Sequence, residues 1–335
     1  MGEAARLPEE RAARAADPGG ASERAAGTLA QKVAAEIERQ RAVPLGGGLF
    51  LVATPIGNLG DITVRALSLL SRADVIYCED TRHSRTLVAH YGIAAPLRAY
   101  HEHNAEAERP RILELIARGR TVALISDAGT PLISDPGYKL VREAIERELP
   151  VTALPGASAV MAGLTVAGLP TDTFLFAGFL PPKDGARHQR FVELAAIPAT
   201  LVLFEAPSRL ARTLAAIPEV FGTREVVVAR ELTKRFEEIR RGTAGVLAAW
   251  ADSAEIKGEI VILVAPPGVV AVTDAAIETA LAEALVSLSL RDAVREVAEA
   301  LKAPRSRVYE MGLRIRAKSE GTSEDPPEGS SEVAP

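Results

Sequence analysis

The sequence contains a single cysteine, Cys78, which excludes a disulfide framework and any multi-cysteine zinc site. With apolar neighbours, Cys78 reads as a small core residue of a strand. No apolar run approaches the roughly 18 residues of a membrane span. The first 46 residues mix seven acids with seven bases and lack an apolar signal-peptide core, so a soluble, cytoplasmic protein is expected. An excess of one charge sign is also missing from most of the chain. The formal charge of −5 is matched by five acids without a base in residues 319–335, which leaves the body neutral. A neutral body does not announce a nucleic-acid binder, although local basic surfaces remain open. The P-loop pattern is absent too. The first glycine loop has Gly57 and Gly60 but not the middle glycine through which a dinucleotide's pyrophosphate approaches. Asp80 does lie 20 residues beyond Gly60, so spacing alone leaves a nicotinamide enzyme open.

What is present is organised around residues 121–137, Thr-Val-Ala-Leu-Ile-Ser-Asp-Ala-Gly-Thr-Pro-Leu-Ile-Ser-Asp-Pro-Gly. Val122 to Ile125 suits a strand buried on both faces of a sheet. The Pro/Gly punctuation after it makes a rigid loop whose backbone can approach a ligand. Asp135 is placed as an N-cap, with Pro136 opening a helix through Leu149. Two further loops of this kind follow strands: Thr54 to Asp61 and Pro155 to Ser158. Ligands of open α/β sheets bind outside the carboxyl ends of strands, so a small molecule is expected there.

The order strand, helix, strand, helix runs from Leu49 to Val166 and predicts an α/β domain with a parallel sheet over residues 49–168. Strands at Phe174–Phe179, Thr200–Glu205, Glu225–Glu231 and Glu259–Ala265 predict a second α/β domain with a mixed sheet over residues 169–268. Residues 273–318 read as a small C-terminal helical module, similar in length and turn to a helix-turn-helix; a helical lid or dimer brace fits equally. Residues 1–48 read as a largely disordered extension with a short helix from Thr28 to Arg41, and 319–335 as a disordered acidic tail.

The runs Ala53-Thr54-Pro55-Ile56-Gly57-Asn58-Leu59-Gly60-Asp61, Glu79-Asp80-Thr81-Arg82-His83-Ser84, Ser126-Asp127-Ala128-Gly129-Thr130-Pro131 and Pro155-Gly156-Ala157-Ser158 together resemble the tetrapyrrole-methylase superfamily. More narrowly they resemble its ribosomal-RNA branch, the 16S rRNA (cytidine-2′-O)-methyltransferases of the RsmI type. Gly178 to Lys183, Arg230 to Lys234 and Lys257-Gly258-Glu259 extend the likeness, which covers roughly residues 49–315. Two positions depart from the family pattern: Ser208 stands in place of a histidine and Ala105 in place of an acid. The resemblance implies a two-domain tetrapyrrole-methylase-like fold, a homodimer, and S-adenosylmethionine held mostly by backbone groups. Carried over by motif, the cofactor residues are Pro55, Ile56, Asp127, Ala128, Gly129, Thr130, Ser158 and Ala159, with Phe204, Ala229 and Glu259 from the second domain. The implied partner is 16S rRNA or the small ribosomal subunit. A tetrapyrrole C-methyltransferase shares the fold, and a non-catalytic RNA-binding assembly protein is a third reading.

Methyl transfer to an alcohol needs the oxygen in line with the methyl group, and a nearby base helps. Glu79, Asp80, His83, His101, His103 and Glu205 are the candidates, with Glu79, His103 and Glu205 foremost. The Glu79/Asp80/His83 and His101/His103 spacing matches no metal-site pattern, so no metal is expected. Arg82, Arg85, Lys183, Arg187, Arg190, Arg209 and Lys234 are the candidates for phosphate contacts.

Overall fold

A computed structural model describes residues 18–268, 273–301 and 303–320. The chain divides into two compact units, Met1–Pro267 and Gly268–Pro335. The first unit opens with helix α1 (Pro18–Ala42) and holds two five-stranded sheets.

The first sheet comprises β1 (Gly48–Val52), β2 (Val75–Cys78), β3 (Leu97–Ala99), β4 (Thr121–Ile125) and β5 (Val151–Leu154), in the order β3-β2-β4-β1-β5. All its pairings are parallel. The crossover helices are α2 (Val64–Leu70), α3 (Thr81–His90), α4 (Ala105–Ala117) and α5 (Tyr138–Glu146), and α6 (Ala159–Ala167) follows β5. Residues of β4 alternate between two cores, as period-two geometry requires. Ala123 and Ile125 pack with Leu69, Leu70 and Val88 from α2 and α3, whereas Val122 and Leu124 pack with Ile112, Leu113 and Leu140 from α4 and α5. Burial pushes the Cys78 thiol up in pKa, in keeping with its place in the first of these cores.

The second sheet comprises β6 (Phe174–Phe179), β7 (Thr200–Glu205), β8 (Glu225–Arg230), β9 (Glu238–Thr243) and β10 (Ile260–Val264). Its order is β6-β7-β10-β8-β9; β6 and β7 run parallel and the other pairs antiparallel. Helices α7 (Asp184–Ala195), α8 (Leu210–Phe221) and α9 (Ala244–Ser253) cover one face. The opposite face packs on α6 and Ile56 through Val202, Val227, Ala229, Val261 and Leu263. That contact sets the loops of the first sheet against the second.

Several expectations are corrected. The helix expected over Thr28–Arg41 is longer: α1 spans Pro18–Ala42, and Arg72 of the α2 turn donates to the carbonyls of Arg41 (3.1 Å) and Val43 (2.8 Å) at its end. Residues 1–17 and 321–335 lie outside the described residues. The α5 helix starts two residues after Pro136, with Gly137 as its cap and no side-chain cap bond, so Asp135 is not a cap. Asp80 caps α3 by accepting from Arg82 N at 2.8 Å. Strand β9 was absent from the sequence reading because Glu238-Ile-Arg-Arg-Gly-Thr is polar; charged residues suit an edge strand, which must resist pairing with other chains.

The second unit contains α10 (Asp274–Ala284), α11 (Leu290–Ala300) and α12 (Arg305–Glu320). Thr273 and Ser289 cap the first two. Ile277, Leu281, Val294, Val297 and Val308 form their common core. Among the described residues, no helix is long and apolar enough to cross a membrane.

Candidate active site

The loops leaving β1, β2, β4 and β5 are stitched together at the carboxyl ends of the strands. Thr54 N donates to Gly129 O at 2.9 Å, and Gly129 N returns a bond to Thr54 O at 3.0 Å. The Thr54 hydroxyl donates to Ser126 O (3.2 Å) and the Thr130 hydroxyl to Ala157 O (3.2 Å). Asp127 Oδ1 accepts from the backbone N–H of Asp80 at 3.0 Å. Gly129, at φ +78°, takes a left-handed backbone that a side chain would strain. Leu132 (φ 73°) and Ser134 (φ 68°) adopt it without being glycine, a strain of about 1–3 kcal/mol each that surrounding contacts must hold in place.

These loops form one wall of a cavity of about 350 Å³, within the range of roughly 300–1,000 Å³ for small-molecule sites. Ile56, Asp127 to Thr130, Asp135 and Ser158 to Val160 face Phe179, Phe204 to Pro207, Leu232 and Gly258 to Val261 from the second sheet. A neighbouring cavity of about 380 Å³ adds Pro55, Gly57, His83 and Lys234, and shares Ile56, Asp127, Ala128 and Glu259. The expected cofactor residues Ile56, Asp127, Ala128, Gly129, Thr130, Ser158, Ala159, Phe204 and Glu259 therefore share the first cavity, and Pro55 lines the second. Ala229 does not line either. It is fully buried in β8, in register with Val261, one strand behind the wall.

The three foremost acid–base candidates separate. Glu205 borders the first cavity, but its carboxylate turns into the core. It accepts from Thr213 Oγ1 (2.6 Å) and Ala206 N (2.8 Å), and Arg209 Nε lies 3.1 Å away without hydrogen-bond alignment. So engaged, it serves as an anchor for the turn after β7. Glu79 lines neither cavity; burial, then Asp127, raises its pKa. His103 is exposed, its ring 6.0 Å from that of His101, and also borders neither. Asp80 is held at about 2 by the guanidinium of Arg82.

Sequence reasoning missed Asp135. It lines the first cavity, and burial, then Glu79, raises its carboxyl to about 6, with Asp127 adding to the rise and Ser126 opposing it. A Pro following an Asp is the local signature of a helix start, and that signature concealed a tertiary role.

The proposed phosphate contacts also divide. Lys183 immediately precedes α7, and Arg187 and Arg190 lie within it. Arg187 has a side chain only 3% exposed, bonded to Asp184, which rules it out as a surface contact. Its spacing with Phe191 and Leu194 places it on the buried face of α7. Arg209 donates to the carbonyls of Leu180 (2.8 Å) and Pro181 (3.1 Å). Lys234 bonds Glu231 (2.8 Å) and Glu259 (3.1 Å). Arg82 and Arg190 are outward, paired with Asp80 and Glu193.

Residues 48–248 match the family of Tetrapyrrole (Corrin/Porphyrin) Methylases. The chain belongs to this family. Residues 271–316 match the RsmI C-terminal HTH domain, so the tetrapyrrole-methylase unit is followed by a second recognised one. Ribosomal RNA small subunit methyltransferase I of Mesorhizobium japonicum is 48% identical over 278 residues, covering 82% of this chain and 95% of that protein. Its counterpart in Pseudomonas aeruginosa is 45% identical over 280 residues, covering 82% and 99%. Among solved structures, the cobalt precorrin-4 methyltransferase superposes with a TM-score of 0.51 at 20% identity, over 65% of this chain and 94% of that one. At that identity the likeness establishes the two-sheet methylase fold.

Proposed function

We propose that this methylase transfers a methyl group from S-adenosylmethionine to the ribose 2′-hydroxyl of a cytidine in small-subunit ribosomal RNA. The observation that carries this reading is the near end-to-end similarity to small-subunit rRNA methyltransferases, through both the methylase unit and the C-terminal helical domain. A tetrapyrrole substrate has no use for the latter.

The donor set fits the cofactor. A zwitterionic amino acid joined to adenosine calls for backbone donors, a carboxylate and an apolar slot rather than a phosphate cradle. The backbone of Ala128 to Thr130, the Asp127 carboxylate, the capped start of α6 at Ser158, and the apolar Ile56, Val160, Phe204 and Leu232 provide these. When bound, the cofactor supplies an electrophilic sulfonium methyl. The two walls then orient the hydroxyl and limit water, and such positioning accounts for much of the rate in methyl transfer. A homodimer in a soluble, cytoplasmic setting belongs to the same reading; closed two-fold pairs are the commonest assembly.

The test is labelling with methyl-tritiated cofactor on small ribosomal subunits, naked rRNA and uroporphyrinogen in parallel. Label in RNA, lost when the target carries deoxyribose, is expected. Label in uroporphyrinogen alone would overturn the reading.

A further inference from the structure

Four carboxylates border the first cavity: Asp127, Asp135, Glu205 and Glu259. Three are committed. Asp127 holds the backbone N–H of Asp80, Glu205 is buried on Thr213 and Ala206, and Glu259 bonds the ammonium of Lys234. Among the described residues, no cation pairs with Asp135. We propose that Asp135 accepts the proton of the substrate hydroxyl as the methyl group is transferred. This rests on the function proposed above.

The geometry supports the role in three ways. First, Asp135 is half-buried on the cavity wall and is spared from capping α5, which starts from Gly137. Second, its position is tightly fixed. Pro131 and Pro136 bracket the segment, Leu132 and Ser134 sit at positive φ, and the Leu132 side chain is anchored in the core with Leu124 and Leu140. Strained non-glycine backbone of this kind persists where the surroundings over-determine it, commonly at working sites. Third, the charged groups that act on it are both acids: Glu79, which follows β2, and Asp127, which follows β4. The cavity lining adds Glu205 at the end of β7 and Glu259 leading into β10. Only the Ser126 hydroxyl favours the ionised form, and it also bonds the carbonyls of Ala128 (3.2 Å) and Gly129 (3.1 Å). With one proton to give, Ser126 cannot satisfy all three at once.

A carboxylate so placed is more basic than an exposed one, yet largely ionised at neutral pH. That compromise is what general-base work asks for. In the step, the hydroxyl O–H bond breaks and its proton passes to Asp135. The oxygen forms the new bond to the methyl carbon. The carbon–sulfur bond breaks with its electron pair going to sulfur, which leaves as a neutral thioether. Charge balances: a carboxylate and a sulfonium become a carboxylic acid and a thioether.

The experiment compares the parent with Asp135→Asn, which keeps the shape and removes the basicity. Methyl transfer at saturating RNA and cofactor should fall on the order of 10²–10⁴-fold. Cofactor affinity by calorimetry and RNA affinity should each stay within about two-fold of the parent. The parent's rate should rise with pH through an inflection near the Asp135 value of about 6, and residual activity of the variant should lack it. Retention of parental rate and profile by Asp135→Asn overturns the proposal, as does a rate loss matched by lost cofactor affinity. If the variant fails to fold, the parent's profile decides, and a flat one between about pH 5 and 7 overturns it. A parent that methylates no RNA fails the function reading instead. Carbon-13 NMR titration of Asp135 needs no RNA: a titration near the ordinary 3.8 overturns the proposal, and one near 6 sustains it.

Discussion

Lys234 lies across Gly57. Its side-chain stem occupies the space a Cβ at Gly57 would need, while its ammonium bonds Glu231 at 2.8 Å and Glu259 at 3.1 Å. A residue following β8 thus closes over the loop that leaves β1, and both line the second cavity. Gly57→Val should push the stem aside and cost about 1–3 kcal/mol, as overpacking does. Lys234→Met keeps the stem and should cost about 1 kcal/mol or less, the usual scale of partly exposed ion pairs. Thermal melts of the two variants give the ranking. The reverse order would mean that charge, not packing, fastens the loop.

The cofactor wall predicts a different pair of outcomes. Asp127→Ala removes a carboxylate from both cavities and frees the N–H of Asp80, and Gly129→Val forces a branched side chain into a φ of +78° beside Ile56. Both should weaken S-adenosylmethionine binding by at least about ten-fold, or 1.4 kcal/mol. Calorimetry on variants whose far-ultraviolet dichroism matches the parent measures this. Undiminished affinity in both would move the cofactor elsewhere.

Asp135 also makes stability depend on pH in an unusual direction. Its carboxyl is raised to about 6 in the fold, against an ordinary 3.8, chiefly by burial and then by Glu79. A raised acid favours the folded state while protonated. That contribution is complete below the unfolded value and is lost as pH rises through the folded one. Asp135→Asn should therefore melt higher than the parent above about pH 7 and match it near pH 4. Stability gained at the expense of activity is the signature of a strained working residue. Equal melting temperatures at both pH values would contradict the environment described for this group.

Much of this was legible in the sequence, for definite reasons. β4 is a short apolar run flanked by Gly and Asp, and the Ser158 helix start obeys local capping chemistry. β6 and β7 fall at their expected residues. The misses share a cause: local rules were overridden by tertiary context. Asp135-Pro136 has the composition of a cap, yet the chain turns once more through Gly137 at φ +138° before α5 begins. Arg187 has the composition of a surface residue, yet its helical spacing with Phe191 and Leu194 places it inward; that periodicity was available and outweighs charge. β9 had no apolar alternation to read.

The buried Arg187 separates stability from RNA affinity. Its side chain is 3% exposed and its Nε and Nη1 have no hydrogen-bond partner, so its replacement acts on the fold. Arg187→Met, similar in length and apolar, should leave RNA affinity and its salt dependence unchanged. Lys183→Gln and Arg190→Gln, on outward positions, should leave melting within about 0.5 kcal/mol and lower the RNA salt slope. Filter binding across a salt series reads both. A lower slope for Arg187→Met would show that the guanidinium reaches RNA.

The C-terminal unit carries the prediction with the widest consequence. Its three helices share a core of their own, and Arg307 is fastened to Asp274 at 2.6 Å. Arg305 and Arg314 are exposed on α12. On a chain whose body is otherwise neutral, such cations are a natural source of phosphate attraction, and phosphate contacts dominate RNA affinity. Each of Arg305→Gln and Arg314→Gln should weaken binding evenly across RNA sequences and reduce the logarithmic salt slope by about 0.7–0.9 if it touches one phosphate. Removing residues 268–335 should abolish most RNA binding yet spare cofactor binding, because every residue of both cavities lies before Pro267. A target with deoxyribose at the modified position should still bind but not react, since the 2′-hydroxyl is both the mark of RNA and the proposed acceptor. If the shortened chain methylates small subunits as well as the parent does, the methylase unit reads RNA by itself and the helical unit serves another end.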